Sequence, residues 1–289
     1  MTYTIFADVS IDIDRTFAEE NEIRYVPMEY VLGEETFLCS APESDEMMHH
    51  YYEKLRQKVQ THTSQIVPHH YEEVFEPYIK EGKAILYLAL SSGLSDTYQS
   101  ARLAASNLQE KYPDAQIEIV DSLGATGGMG LLAESAVENR KKGMSLSENA
   151  DWLRRYAARI HYWFKVEDLM YLKRGGRISA ATAAIGTALN IKPILCVTRE
   201  GKLASIDKKR GNKQAMRNLV ERFEQHFDPT VSKVVYICCS DCMEEAEKLK
   251  EMLLAKRQDL IIRTTMLSPI IGAHTGPDMI ALICYGDEK

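Results

Sequence analysis

A stretch at residues 84–108 constrains the fold of this chain more than any other feature of its sequence. Residues 84–90 (AILYLAL) are all apolar, and a run of this length is typical of a strand buried on both faces of a sheet. The turn SSGLS follows at 91–95, and residues 97–108 have a helical pattern. A buried strand that leads through a short turn into a helix is the repeating unit of an α/β sheet.

The same turn has the composition of an anion site. Gly93 allows the backbone to come close to a ligand, and the hydroxyls of Ser91, Ser92 and Ser95 can converge with free backbone N–H groups on a negative charge. Most turns between a strand and a helix bind nothing, so an ordinary structural turn is the alternative.

Strand and helix patterns alternate along the first part of the chain. Strand patterns occur at residues 3–8, 23–31 and 115–120, helix patterns at 46–59, 69–80 and 124–142, and a hydroxyl-rich loop at 61–65. The four glycines at 124, 127, 128 and 130 predict a helix that packs closely against a neighbour. Their spacing differs from the G-x-G-x-x-G fingerprint, so a dinucleotide site is disfavoured.

The pattern changes near residue 160, where a basic glycine loop and shorter elements follow. A small-residue helix is predicted at 178–189, strands at 191–197 and 202–206, and a basic patch at 208–213. We therefore predict an α/β fold with two domains. Residues 1–160 form an N-terminal domain with a mainly parallel, βα-alternating sheet, and residues 161–289 form a smaller C-terminal α/β domain.

Composition excludes several classes of function. The net charge of −7 over 289 residues argues against nucleic acid and against an anionic membrane as primary partners, so we expect at most transient membrane contact. No apolar run reaches membrane-spanning length, and we expect a cytoplasmic protein. Six cysteines in a chain of this length indicate reduced thiols rather than a disulfide framework.

Two further patterns suggest redox or metal chemistry but are weak. Cys239 and Cys242 form a lone C-x-x-C, which without a second pair is best interpreted as incidental thiols at a strand end. Five histidines lie at positions predicted to be exposed, and we expect no metal from them. These histidines are His49, His50, His62, His69 and His70.

Several segments, taken in order, resemble the DegV family over nearly the whole chain. They are TSQ at 63–65, LSSGLS at 90–95 with TYQSA at 97–101, VDS at 120–122, YLKRGGRIS at 171–179, LNIKPIL at 189–195 and HTGP at 274–277. The resemblance implies two α/β domains with a tunnel between them that holds one long-chain fatty acid, and no other cofactor. It also implies a carrier rather than an enzyme, with a role in phospholipid metabolism.

The resemblance also implies which residues meet the carboxylate of the acid. Hydroxyls and backbone amides around Thr63 and Ser92-Gly93 are expected to hold it, with His274 close by. The wider set of predicted ligand-binding residues is Thr63, Ser64, Ser92, Gly93, Ser122, His274 and Thr275. Asp278 stands where the family commonly has glycine, and Asp96 is a second departure of the same kind. An added carboxylate near an anion site is expected to weaken it.

Some relatives present the bound acid to a separate ATP-dependent kinase that resembles dihydroxyacetone kinase, which makes an acyl phosphate. Such a partnership implies positive charge near the tunnel mouth, and Arg174, Arg177 and Arg210 are the candidates for partner or phosphate contact. Charge clusters of this kind, including Lys208 and Lys209, are more commonly solvated loops.

A serine hydrolase acting on a lipid or ester is the alternative function. Ser92 early and His274 late follow the chain order of α/β-hydrolases, with Asp241 or Asp207 between them. The G-x-S-x-G elbow of that fold is absent from the sequence, which favours the carrier.

Overall fold

The protein is described by a computed structural model at residues 3–183 and 190–289. Its first sheet has the strands β1 (Tyr3–Asp8), β2 (Arg24–Val26), β6 (Ala84–Ala89) and β7 (Ile117–Asp121). The sheet is parallel throughout, and its strand order is β2-β1-β6-β7. The helices of this part of the chain are α1 (Arg15–Glu20), α2 (Asp45–Arg56), α3 (Pro68–Lys80), α4 (Thr97–Lys111), α5 (Gly127–Lys141) and α6 (Leu146–Ala157).

Strand β6 is buried on both faces, as its sequence predicts. Ile85 and Tyr87 belong to a core with α3 and α4, whereas Leu86 and Leu88 belong to a second core with α5 and α6. Side chains alternate between the two faces of a strand, so a continuous apolar run is needed where helices cover both.

The second half of the chain forms a six-stranded sheet. Its strands are β8 (Ile160–Lys165), β9 (Ile191–Val197), β10 (Leu203–Arg210), β11 (Val234–Cys239), β12 (Ile261–Met266) and β13 (Ile280–Tyr285). The strand order is β10-β9-β8-β13-β11-β12, and the sheet is antiparallel except between β11 and β12. The helices are α7 (Leu169–Arg174), α8 (Ala180–Ala183), α9 (Asn212–His226), α10 (Met243–Lys256) and α11 (Pro269–Thr275).

Helix α5 lies between the two large sheets and confirms the close packing predicted from its glycines. A Cβ atom on Gly128 would lie 1.9 Å from the hydroxyl oxygen of Tyr162 on β8, and one on Gly127 would lie 2.5 Å from Tyr236 on β11. Only glycine allows such an approach, so the two tyrosines reach the backbone of α5. This contact joins the six-stranded sheet to the N-terminal part of the chain.

A third, antiparallel sheet has the order β4-β3-β5 and was not predicted as such. Its strands are β3 (Met28–Leu32), β4 (Glu35–Cys39) and β5 (Thr61–Thr63). The single strand predicted at 23–31 is wrong, because the chain leaves the parallel sheet at Pro27, which has no N–H to donate. The loop predicted at 61–65 is in part strand, since Thr63 pairs with Tyr30.

Two further predictions in the second half need correction. Lys208, Lys209 and Arg210 lie on β10, paired with β9, rather than in a loop. Helix α8 accounts for part of the predicted helix at 178–189, of which residues 184–189 lie outside the described residues. Within the described residues, no helix has the length and apolarity required to cross a bilayer.

Candidate ligand-binding site

A cavity of about 450 Å³ lies between the carboxyl ends of the parallel strands and the inner face of the six-stranded sheet. We call its apolar lining the wall; it consists of Met28, Leu90, Leu94, Ala125, Phe164, Leu172, Val197, Leu203, Ile270, Ile271, Met279, Ala281 and Ile283, with the ring of Tyr162. Its polar lining includes Thr126 and Thr275 and a set of eight residues that we call the rim: Thr63, Ser64, Gln65, Ser92, Ser95, Asp96, Arg177 and His274. Loops at the carboxyl ends of strands are the usual ligand sites of open α/β sheets.

His274 and Thr63 meet at the rim although they lie far apart in sequence. Thr63 ends β5 and His274 lies in the last turn of α11, and Nε2 of the imidazole is 2.9 Å from the threonine hydroxyl. Burial, with the nearby charge of Arg177, lowers the pKa of His274 to about 4. The imidazole is therefore neutral at pH 7, with one nitrogen that donates and one that accepts.

The second ring nitrogen of His274 packs against Gly175. Nδ1 is buried and has no hydrogen-bond partner among the described residues. A Cβ on Gly175 would clash with it, so glycine is required there for the ring to keep its place. When Nε2 accepts the proton of Thr63, Nδ1 carries the N–H, and an anion would reach it only after a shift of the ring or of Gly175.

The turn after β6 differs from its prediction in one respect. The N–H of Ser92 donates to Oδ1 of Asp121 at 3.2 Å, and the N–H of Gly93 donates to Oγ of Ser91 at 3.1 Å. The prediction that these backbone amides are free is therefore wrong, because Asp121 ends the neighbouring strand and takes one of them. The exposed Ser92 side chain is what this turn presents to a ligand.

Contacts from the second half of the chain cover the same turn. Ser91 Oγ donates to the carbonyl of Gly201 at 2.8 Å, and a Cβ on Gly93 would lie 2.7 Å from the backbone of the 200–201 turn. Nε of Arg177 donates to the carbonyl of Leu94 at 2.8 Å. We call these three contacts the clasp; they hold the turn after β6 against the turn between β9 and β10 and the loop after α7.

The three arginines predicted for partner or phosphate contact occupy different places. Arg177 lines the rim, and burial lowers its pKa, with Asp96 acting in the opposite direction. Arg174 is exposed, with its guanidinium 4.5 Å from the ring centroid of Tyr171. Arg210 is exposed at the end of β10. Neither Arg174 nor Arg210 lines the cavity.

Of the other predicted ligand-binding residues, some line the cavity and one does not. Ser64 lines the cavity and is exposed. Thr275 also lines it, but its hydroxyl donates to the carbonyl of Ile271 at 3.2 Å. Ser122 lies outside the lining, because its hydroxyl turns back to donate to the carbonyl of Gly124 at 3.0 Å.

Asp278, predicted to disturb an anion site, is neutralised in the structure. Its Oδ1 accepts from Nη2 of Arg56 at 2.7 Å, and it does not line the cavity. Arg56 also donates to Asp241 at 2.6 Å. The carboxylate is thus directed to a cation on α2, so the reason for expecting it to weaken the site does not hold.

Two polar side chains inside the cavity escaped the sequence analysis. The hydroxyls of Tyr162 and Thr126 are buried and have no hydrogen-bond partner among the described residues. Thr126 has a φ of 49°, a left-handed conformation that is uncommon for a β-branched residue. The glycines at the start of α5 were the available signal, since they indicate a large side chain packed against that helix.

A hydrolase triad does not assemble among the described residues. His274 bonds Thr63 rather than Ser92, and no described carboxylate accepts from its ring. Asp241 binds Arg56 and His49, while Asp207 pairs with Lys209 at 2.8 Å. The acidic group that orients the imidazole and stabilises its charged form in a Ser-His-Asp triad is therefore missing among the described residues.

Fold and site together define an α/β protein with a mainly apolar cavity of ligand size and a polar rim. The chain belongs to the DegV family, whose model, described as "Uncharacterised protein, DegV family", matches residues 2–287. A DegV domain-containing protein of Clostridium perfringens is 36% identical over 287 residues, covering 99% of this chain and 98% of that protein. One of Streptococcus pyogenes serotype M3 is 38% identical over 292 residues, covering 100% of both chains.

Solved structures of family members have the same fold. A DegV family protein from Thermus thermophilus, described for its fatty acid binding, matches with a TM-score of 0.86 and 27% identity, over 99% of this chain and 100% of that one. DegV of Bacillus subtilis, described as a fatty acid binding protein, matches with a TM-score of 0.83 and 26% identity over 99% of both chains.

Proposed function

We propose that this protein binds one long-chain fatty acid, with the carboxylate at the rim and the acyl chain along the wall. The observation that carries the proposal is the cavity itself, which joins an extended apolar lining to a rim holding an imidazole and an arginine. Its volume of about 450 Å³ lies in the range of small-molecule sites. The descriptions of the Thermus thermophilus and Bacillus subtilis proteins support the same ligand class.

The binding energy comes mainly from the acyl chain. Each buried methylene contributes about 0.8 kcal/mol, so a sixteen-carbon chain supplies on the order of 10 kcal/mol before ordering costs. A hydrogen bond to a charged group contributes about 1.5–3 kcal/mol. The rim therefore orients the acid, and the wall retains it.

Native mass spectrometry of freshly purified protein, followed by denaturing extraction, tests the ligand. We expect a single added mass that matches a fatty acid and disappears on denaturation. A clean apo mass, together with no thermal stabilisation by added fatty acids, would overturn the proposal.

We further propose that the protein presents its acid to a separate kinase resembling dihydroxyacetone kinase, for acyl-phosphate formation. The half-buried Arg177 at the rim and the exposed Arg174 and Arg210 would face the phosphate or the partner. We also propose that residues 1–160 and 161–289 are separate domains, with the cavity as the tunnel between them.

Charge reversal separates presentation from binding. Arg174 and Arg210 lie outside the cavity lining. The double variant Arg174→Glu with Arg210→Glu should therefore keep the same amount of co-purified lipid but lose phosphorylation of that lipid by the kinase. Lys248→Glu, an exposed change on α10, is the matched surface control. Equal loss of lipid and phosphorylation in the double variant would count against a docking role.

A further inference from the structure

Two histidines and an aspartate meet on the face of the six-stranded sheet that points away from the cavity. His161 lies near the start of β8, next to Tyr162, whose ring lines the cavity. Because successive side chains of a strand point to opposite faces, His161 lies on the face away from the cavity. His226 ends α9, and Asp287 follows β13. Three separate elements therefore bring one potential ligand each to the same place.

The three candidate ligand atoms lie close enough together to contact one metal ion. Asp287 Oδ1 lies 3.1 Å from His161 Nε2 and 3.0 Å from His226 Nδ1, and all three atoms lie within 4.8 Å of one another. Ligands about 2.0–2.1 Å from a tetrahedral zinc ion are separated by about 3.3 Å. His161 Nε2 donates to the backbone carbonyl of Asp287 at 3.0 Å, so this nitrogen must give up its proton to bind a metal.

The surroundings restrict these side chains. The two imidazole rings lie with centroids 5.0 Å apart and planes 19° apart, and Trp163 stacks on His161 at 5.1 Å, so one ring must rotate for both nitrogens to face the same ion. Arg159, a neighbouring cation, donates to Asp228 at 2.7 Å, so Asp287 stays with the histidines.

We propose that His161, His226 and Asp287 form a binding site for a divalent transition metal of the zinc type. Two imidazoles and one carboxylate are the ligand types that such ions prefer, and the side-chain exposures of 9%, 36% and 59% leave an approach from solvent. A bound ion would fasten the segment after β13 to β8 and α9. The role is structural and independent of the fatty acid.

A second cluster in the described residues is a weaker candidate. His49, Glu53 and Asp241 also bring their ligand atoms together, but Asp241 already accepts from Arg56 at 2.6 Å. An arginine bound to the carboxylate opposes a cation there. His49→Gln is therefore a matched control for the variants below.

Zinc binding by tag-free, chelator-treated protein tests the proposal. Titration calorimetry and elemental analysis after dialysis should give one Zn²⁺ per chain. His226→Gln and Asp287→Asn, both at partly exposed positions, should weaken binding at least about tenfold, while His49→Gln leaves it unchanged. Zn²⁺ should also raise the melting temperature of the wild type but not of the two variants.

Cobalt spectroscopy identifies the ligands independently. Co²⁺ in this site should give visible bands of four- or five-coordinate metal without thiolate charge-transfer bands, and Cys242→Ser should have the same spectrum. The proposal is overturned by an absence of stoichiometric uptake, by thiolate bands, or by tight binding that survives both His226→Gln and Asp287→Asn. It is also overturned if His49→Gln abolishes uptake.

Discussion

The rim and the wall of the cavity are built from different parts of the chain and have different physical tasks. The rim comes mainly from β5, the turn after β6, and α11, and its groups are hydrogen-bond donors and acceptors. The six-stranded sheet contributes the largest share of the wall, which is aliphatic or aromatic throughout. The difference separates orientation from affinity, so substitutions in the two regions should have effects of different size and kind.

Narrowing the wall should have the largest effect. Ala281→Phe places a ring inside the cavity and removes room for about four methylenes, a loss of about 3 kcal/mol or roughly a hundredfold in affinity for a sixteen-carbon acid. Competition binding with acids of graded length measures this. A ten-carbon acid should still bind the variant. The control is Ala281→Ser, which keeps a small side chain at this position. Equal loss for short and long acids would contradict the assignment of the wall.

Removing one hydroxyl from the rim should have a smaller effect than narrowing the wall, whereas removing two should match or exceed it. Ser92→Ala alone lowers affinity modestly, whereas Thr63→Ala combined with Ser92→Ala should release the acid during purification, since each contact to a charged head group contributes about 1.5–3 kcal/mol. Quantitative lipid extraction measures retention. Ser122→Ala, outside the lining, is the matched control. Full retention of lipid by the double variant would contradict the placement of the head group.

Acid should destabilise the empty protein through His274. Its folded pKa of about 4 lies below the ordinary value of 6.5, so the favourable contribution present above pH 6.5 is lost as the pH falls towards 4. The loss reaches at most about 2 kcal/mol at pH 5. Urea unfolding of lipid-free protein at pH 7.5 and pH 5 measures it, and His274→Gln should show less change. A variant with the full acid sensitivity of the wild type would refute this origin.

The titration of Asp12 changes the stability with pH in the direction opposite to that of His274, so the two contributions must be measured separately. Burial raises its pKa to about 7, so its contribution to stability is present below about 4 and is lost as the pH rises through 7. Asp12→Asn in both backgrounds is therefore the control that isolates the His274 component.

Removing one hydroxyl from inside the cavity should have the smallest effect. Tyr162→Phe deletes a hydroxyl that is already buried against Gly124 and Gly128 in the empty protein and has no partner among the described residues, so it should raise the free energy of unfolding by about 1 kcal/mol and leave the affinity for a saturated acid unchanged. Urea unfolding and calorimetric titration of lipid-free protein measure the two quantities. Weaker binding would show instead that the hydroxyl contacts the ligand or a bound water.

Periodicity predicted the elements whose burial follows a regular pattern. Strand β6 is buried on both faces and leaves a continuous apolar run, and helix α4 is buried along one face and leaves a helical repeat. Strands β4 and β5 are short, and β5 ends in the polar THT, so their pairing depends on neighbours that the sequence does not name. The turn at Pro27 illustrates the same limit.

The residues of the candidate site were predicted mainly through the family resemblance. Thr63 and His274 are 211 residues apart, and no local pattern pairs them. The engaged amides of Ser92 and Gly93 depend on Asp121 and Ser91, contacts that composition alone does not reveal. Tyr162 was missed because its position depends on direct packing against the glycines at the start of α5.

The clasp has a consequence for the time that a bound acid remains in place. Ser91 with Gly201, Gly93 with the same turn, and Arg177 with Leu94 tie the turn after β6 to the second half of the chain. In the proposed complex, opening these contacts would move Ser92 and Arg177 of the rim while the wall kept its place. The time for which the head group stays bound would then depend on the clasp, and a partner that opens the clasp would loosen the head group without changing the wall.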